Sequence, residues 1–279
     1  HVVSDMDRLP FAERLDPRNV NLLTRHAQFY ITLRRFPDAL RKLDQILAIA
    51  AGDIDALVDK AAIAQAEGDL PRASAFLAQL HPSPGDPTAW ETLAYQAILE
   101  RHPAGVIPRL QEILATPDPA LGYLNDELRF WLGWAQEVAG DKPAAQETWK
   151  EARRELQELL KEQPENSSLL QDLALITIGL GDQDAALALA DRALAMRPVE
   201  KDAANGSQPI EILARVTARM GEPERAIAAL EQILSMPGNG AMATGMGLTP
   251  ALLRLDPMFD SLRSDPRFQK LCGVRQPSK

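Results

Sequence analysis

The side chains able to do chemistry in this 279-residue chain are few and scattered. His1, His26, His81, His102 and the lone Cys272 fall at no spacing that would hold zinc, and no HExxH, GxxxxGK[ST] or GxSxG stretch occurs. Two carboxylate pairs, Asp53/Asp55 and Asp182/Asp184, precede apolar periodic runs. Acidic side chains there complement the positive end of a helix and need no catalytic explanation. His26 sits on an apolar helical face and reads as a core histidine. Gly238, Gly240 and Ala243 spell GxGxxA, which cradles a pyrophosphate only between a strand and a following helix. Here it follows a helical run ending at Pro237, so it reads as a flexible connector. No catalytic residue, metal site or cofactor is expected. A stand-alone enzyme is the distant third reading, which a cluster of perturbed ionisable groups in the groove would revive.

Charge and composition narrow the partners. A formal net charge of −9 with no long single-sign run argues against a nucleic-acid partner, which needs clustered Lys and Arg. No stretch of about 18 apolar residues occurs, so membrane insertion is not expected. The single cysteine excludes an internal disulfide and fits a reducing compartment, from which a cytoplasmic location is expected. A protein or peptide is left as the partner class.

Positioning elements come next. Alanine and leucine outnumber the β-branched residues, aromatics are 5%, and no long period-two alternation appears, so the chain reads as all-α. A glycine turn followed by alanine recurs as EGDLPRASA (67–75), AGDKPAAQ (139–146), LGDQDAAL (180–187) and MGEPERAIA (220–228). A small residue before each turn is followed twelve positions later by a small or β-branched one. The pairs are Ala27/Ala39, Ala61/Ala73, Ala94/Val106, Gly133/Ala145, Ala174/Ala186 and Ala214/Ala226. Antiparallel helices joined by a tight turn approach closely only where side chains are small, so these pairs set the distance between helix axes.

These residues resemble the tetratricopeptide repeat, with Ser167 to Pro198 as the best copy: Leu170, Leu173, Ala174, Gly181, Ala186, Ala193 and Pro198 are all in place. The resemblance implies a right-handed α–α superhelix, a solenoid of about six helix-turn-helix repeats starting near 20, 54, 87, 126, 167 and 207. The array is expected over 20–236, preceded by a remnant of a truncated repeat at 1–19. A Gly-rich connector (237–249) and a C-terminal helical cap (250–272) follow. Arg34 and Arg101 stand where the turn glycine belongs, and His26 and Lys60 replace the usual leucine. Extra length falls in a long second helix at 143–164 and in a connector at 199–209. The stretch LTPALLRLDPMFDSLRSDPRF (248–268) is similar to the tail after tetratricopeptide arrays in large bacterial proteins that also carry a Ser/Thr kinase, nucleotide cyclase or winged-helix domain. That resemblance implies a signalling context.

In such an array one stripe of each first helix faces the concave surface. Thr24, Gln28, Glu91, Tyr95, Phe130, Trp134, Gln171, Glu211, Arg215 and Arg219 fall on it. Aromatic and arginine side chains are common anchors for peptide segments, so Gln28, Tyr95, Phe130, Trp134, Gln171, Arg215 and Arg219 are the candidate groove residues. The alternative for FWLGW (130–134) is packing against the long helix that carries Trp149. Thr24, Asp59, Thr88 and Thr92 occupy positions where the chaperone-binding subclass has lysine, asparagine and arginine, so a C-terminal carboxylate ligand is not expected. The function expected is a non-catalytic interaction scaffold, the regulatory module of a larger signalling protein. The alternative is a peptide or small-molecule sensor acting on an attached domain.

Overall fold

Each recurring turn becomes a reversal between two antiparallel helices. In the computed structural model, which describes residues 15–273, the first pair is α1 (Val20–Thr32) with α2 (Phe36–Ile49). Next come α3 (Ile54–Glu67) with α4 (Leu70–Leu77), and α5 (Pro87–Leu99) with α6 (Ile107–Ala115). Then follow α7 (Leu124–Val138) with α8 (Lys142–Glu162), α9 (Ser167–Gly179) with α10 (Gln183–Met196), and α11 (Ser207–Met220) with α12 (Pro223–Leu234). The expected 1–19 remnant lies outside the described residues except for 15–19. No helix among the described residues is long and apolar enough to cross a membrane.

Local chemistry starts and stops these helices. Asn19, Asp53, Asp69, Asp141, Asn166 and Asp182 each accept a backbone N–H of the first turn, which is N-capping. Within the six pairs the reversal passes through a left-handed residue. Gly68, Gly140, Gly181 and Gly221 take φ of 81°, 90°, 85° and 78°. Arg34 and Arg101 take 56° and 60° at the same place, which costs an L-residue about 1 kcal/mol. What each arginine gives in return is visible at the site.

Close approach is where the twelve-residue rule put it. Ala27, Ala39, Ala61, Ala73, Ala94, Ala174, Ala186, Ala214 and Ala226 are all fully buried. The long helix α8 adds a second device: the indole of Trp149, 1% exposed, lies in a slot between Gly133 of α7 and Gly179 of α9.

The pairs stack into a right-handed superhelix with α1, α3, α5, α7, α9 and α11 on the inner side. Its curvature brings the first pair to the last. Arg34 donates to the carbonyls of Ile233 (3.0 Å) and Leu234 (3.2 Å) at the end of α12. This closure decides the path of the remaining chain. Residues 237–249 are not a free connector, because the chain leaving α12 meets Thr32 of α1 and turns into the concavity, burying Met242, Met246 and Leu248. The C-terminal segment, α13 (Pro250–Leu255), a 3-10 turn (Pro257–Leu262) and α14 (Pro266–Leu271), covers the last pair. Arg267 reaches Glu224 of α12 (2.6 Å) and Ser261 the carbonyl of Ala218 (2.6 Å). Its first part also reaches across the groove to α3 and α5.

Candidate functional site

The concave face holds an irregular run of the chain's own backbone. The carbonyl of Thr32 accepts from the Gly238 amide (3.2 Å), and that of Ala204 from Asn239 (2.8 Å). Glu211 Oε2 takes the Ala241 amide (3.0 Å), and Gln208 Nε2 donates to the Gly240 carbonyl (3.1 Å). Asn205 and Ser207 also bond Asn239, so the long 199–209 connector serves as a docking edge for this run. Gly240 is required here: a Cβ would lie 2.0 Å from the Met246 carbonyl oxygen. The GxGxxA glycines thus serve close packing of this segment.

A buried ionic clasp fixes the next stretch. Arg215 of α11 is fully buried and contacts Glu211 (Nη2 to Oε1, 2.8 Å) and Asp256 (Nη1 to Oδ2, 2.7 Å). Tyr95 of α5 donates its hydroxyl to the same Asp256 oxygen at 2.8 Å. Burial alone would lower the Arg215 pKa, but Asp256 and Glu211 outweigh it and raise it. Burial and the adjacent Asp256 push the Tyr95 phenol upward. At the α3 end Thr249 donates to the Ala66 carbonyl (2.5 Å). Arg101, one of the two arginines in a glycine position, forms a two-pronged contact with Asp260, both distances 2.8 Å. Arg34 and Arg101 therefore hold strained turns whose side chains tie the two ends of the array and its tail together.

The candidate groove residues separate by exposure. Gln28 is exposed on α1. Tyr95 and Arg215 belong to the clasp. Arg219 pairs with Glu137 at the end of α7 through contacts of 2.5 and 2.7 Å. Gln171 is buried and donates to the Ser167 carbonyl and hydroxyl of its own helix. Trp134, 1% exposed, is enclosed in a ring cluster with Tyr95, Phe130 and Trp131 at centroid distances of 5.4–5.9 Å. Phe130 lines a cavity.

That cavity is the chemically distinctive place. Glu91 of α5, Glu127 of α7 and Asp172 of α9 line a space of about 80 Å³, walled by Phe130, Trp131 and Met242. Burial first, then Glu127 and Asp172, hold the Glu91 carboxyl well above the usual range. Burial first and Glu127 second do the same to Asp172. Glu127, hydrogen-bonded to Glu91, is pushed by burial to about 7. Among the described residues no group of three His, Cys, Asp or Glu side chains is set to hold a metal ion.

No protein-family model matches the sequence, and no curated protein matches it significantly. Solved structures do. A tetratricopeptide repeat protein from Parabacteroides merdae covers 93% of this chain, and 91% of its own length, at 17% identity with a TM-score of 0.50. Pseudomonas aeruginosa pilF covers 93% of this chain and 100% of its own length at 13% identity, with a TM-score of 0.48. The fold is that of a tetratricopeptide solenoid. The array here is distinguished by what fills its groove. Sequence reasoning put Glu91 on the inner stripe but passed over Glu127, Trp131, Asp172 and Asp256. Asp256 had a signal, the Asp-Pro step that starts the 3-10 turn.

Raised carboxyls make stability fall with pH. The folded state keeps protons on Glu91, Glu127 and Asp172 that the unfolded chain has released by about pH 5, so ionising them above that penalises only the folded state. Asp59, raised to about 7 by burial and by Asp55 and Asp53, adds to the trend. Melting temperature should therefore drop between about pH 5.5 and pH 8. Glu127→Gln should flatten that slope, and equal slopes in thermal scans of both proteins would contradict the electrostatic picture.

Proposed function

We propose that this chain is a non-catalytic interaction module that recognises protein or peptide segments on its concave face, and that it serves as the regulatory part of a larger bacterial signalling protein. One observation carries the reading: the groove already holds a segment of the chain itself, residues 238–241, through its main-chain groups. Contacts to main-chain amides and carbonyls supply affinity for extended chain of almost any sequence, and side-chain pockets beside them supply selectivity. Phe130, beside the acidic cavity, is the groove candidate placed to supply the second. The sequence resemblance of the tail supports the signalling context.

A sensor is the second reading, favoured by the ring closure at Arg34. A ligand that displaced residues 237–249 would loosen the tie between first and last pairs and change the curvature felt by an attached domain. Catalysis has its electrostatic condition met by the raised carboxyls. Yet the cavity offers acids without a nucleophile and base in contact.

The test is affinity capture from the source cell with the wild type beside Phe130→Ala, after both show the same helical signal. A partner kept by the wild type and lost by the variant places recognition at the cavity mouth. Equal recovery moves it to the outer face. Capture of nothing by either protein would sink the interaction reading in favour of the sensor.

A further inference from the structure

The buried arginines Arg215 and Arg129 are matched by carboxylates. Arg215 meets two carboxylates, and Arg129 meets Asp126 at 2.7 Å and Glu155 at 3.1 Å. Asp172 breaks the pattern: its Oδ2 is wholly buried and has no hydrogen-bond partner. Glu91, Glu127 and Asp172 form no ion pair among the described residues, although they share one cavity. An unpaired buried acceptor costs about 1–3 kcal/mol, and three carboxyls held together in one place cost more. Ordinary packing gives no return for that arrangement.

The cavity's shape supplies one. A second space of about 130 Å³ adjoins the first, shares Glu127 and Asp172 with it, and is bordered by the half-buried Ser168 and Gln208. The two spaces thus meet the same pair of carboxyls from a polar side and an apolar side. The walls of the inner space are apolar and aromatic, namely Phe130, Trp131 and Met242. Acidic lining and aromatic wall together describe a receptor for a cation on an apolar stem.

We propose that this chamber binds a protonated alkylamine, its ammonium among Glu91, Glu127 and Asp172 and its stem along Phe130, Trp131 and Met242. An ammonium is a compact charge with three donors for three carboxyls, whereas a guanidinium is a wide planar fork suited to one or two. Trp131 and Phe130 add cation–π attraction in a desolvated place. The amine comes either free or as a lysine side chain of a docked segment, and only the second source rests on the interaction reading above.

The experiment is a calorimetric and thermal-shift titration of the full chain with n-butylamine hydrochloride at constant ionic strength. Tetramethylammonium and calcium chloride serve as controls, and a blocked Gly-Gly-Lys-Gly-Gly peptide forms a second arm. Butylamine should bind saturably and raise the melting temperature. Asp172→Asn should weaken it at least about tenfold, or about 1.4 kcal/mol, while leaving the unliganded variant as stable as the wild type or more so. A purely structural Asp172 would lose stability in that variant instead. Tighter binding of the peptide assigns a lysine side chain, and tighter binding of butylamine assigns a free amine. No saturable binding of either, equal binding of tetramethylammonium, preference for calcium, or an undiminished response in Asp172→Asn would each overturn the proposal. None of these results depends on the capture experiment, so the two readings fail separately.

Discussion

Asp256→Ala should destabilise the protein by about 3–5 kcal/mol, the loss typical of removing one partner from a buried ion pair. Its carboxylate accepts from Arg215 (2.7 Å) and Tyr95 (2.8 Å) through Oδ2 and caps the Met258 amide (2.9 Å) through Oδ1. Arg215 and Asp256 are both fully buried, and Glu211 already takes two Arg215 donors and the Ala241 amide. Nothing nearby is free to replace the lost charge. The pair should also be non-additive: Arg215→Met with Asp256→Leu should cost clearly less than the sum of the singles, because the double variant leaves no orphan charge. Urea denaturation of the four proteins measures this. Additive losses, or a single-variant loss below about 1 kcal/mol, would show that the clasp is incidental. Hydrogen exchange adds the location, since residues 237–272 should open before α7 to α10 do.

Much of this architecture was legible because it is local. A turn, a cap and a twelve-residue small pair lie within a few residues of one another, and each is written as a residue type: Gly68, Asp69, Ala61 with Ala73. Even the two misfits carried information. Arg34 and Arg101 accept the same left-handed turn as glycine does, and each spends its guanidinium on a contact far along the chain. A local rule broken at a cost was the sign of a distant use.

What could not be read was everything that depends on curvature. Glu91, Glu127 and Asp172 are three separate helix acids, only the first of them on the inner stripe read from the sequence, until the stacking of the pairs brings them to one cavity. The route of residues 237–249 is a consequence of ring closure, which no single repeat encodes. FWLGW illustrates the division within five residues. Phe130 faces the cavity, Trp134 is enclosed with its neighbouring rings, and Gly133 exists to admit Trp149.

Gly133→Ala should therefore destabilise the array by about 3 kcal/mol, the upper end of the usual cost of overpacking. Helix propensity alone predicts the opposite sign, a gain of about 0.5–1 kcal/mol for removing a mid-helix glycine. Sterics win because a Cβ at Gly133 would stand 2.3 Å from Trp149 Nε1, and one at Gly179 would stand 2.6 Å from Cζ3 of the same ring. The indole cannot retreat from one wall without striking the other, and its N–H is held by the Phe130 carbonyl at 3.3 Å. In the Gly133→Ala background, Trp149→Leu should cost less than the roughly 3–5 kcal/mol it costs alone, since the new methyl occupies part of the space the ring vacates. Thermal melts of the four proteins test the coupling. The same wedge sets the distance between α7 and α9, and those helices carry Glu127 and Asp172. Gly133→Ala should thus also weaken butylamine binding, although it touches no carboxylate. A variant that gained stability and bound amine normally would mean that the indole fills space without defining it.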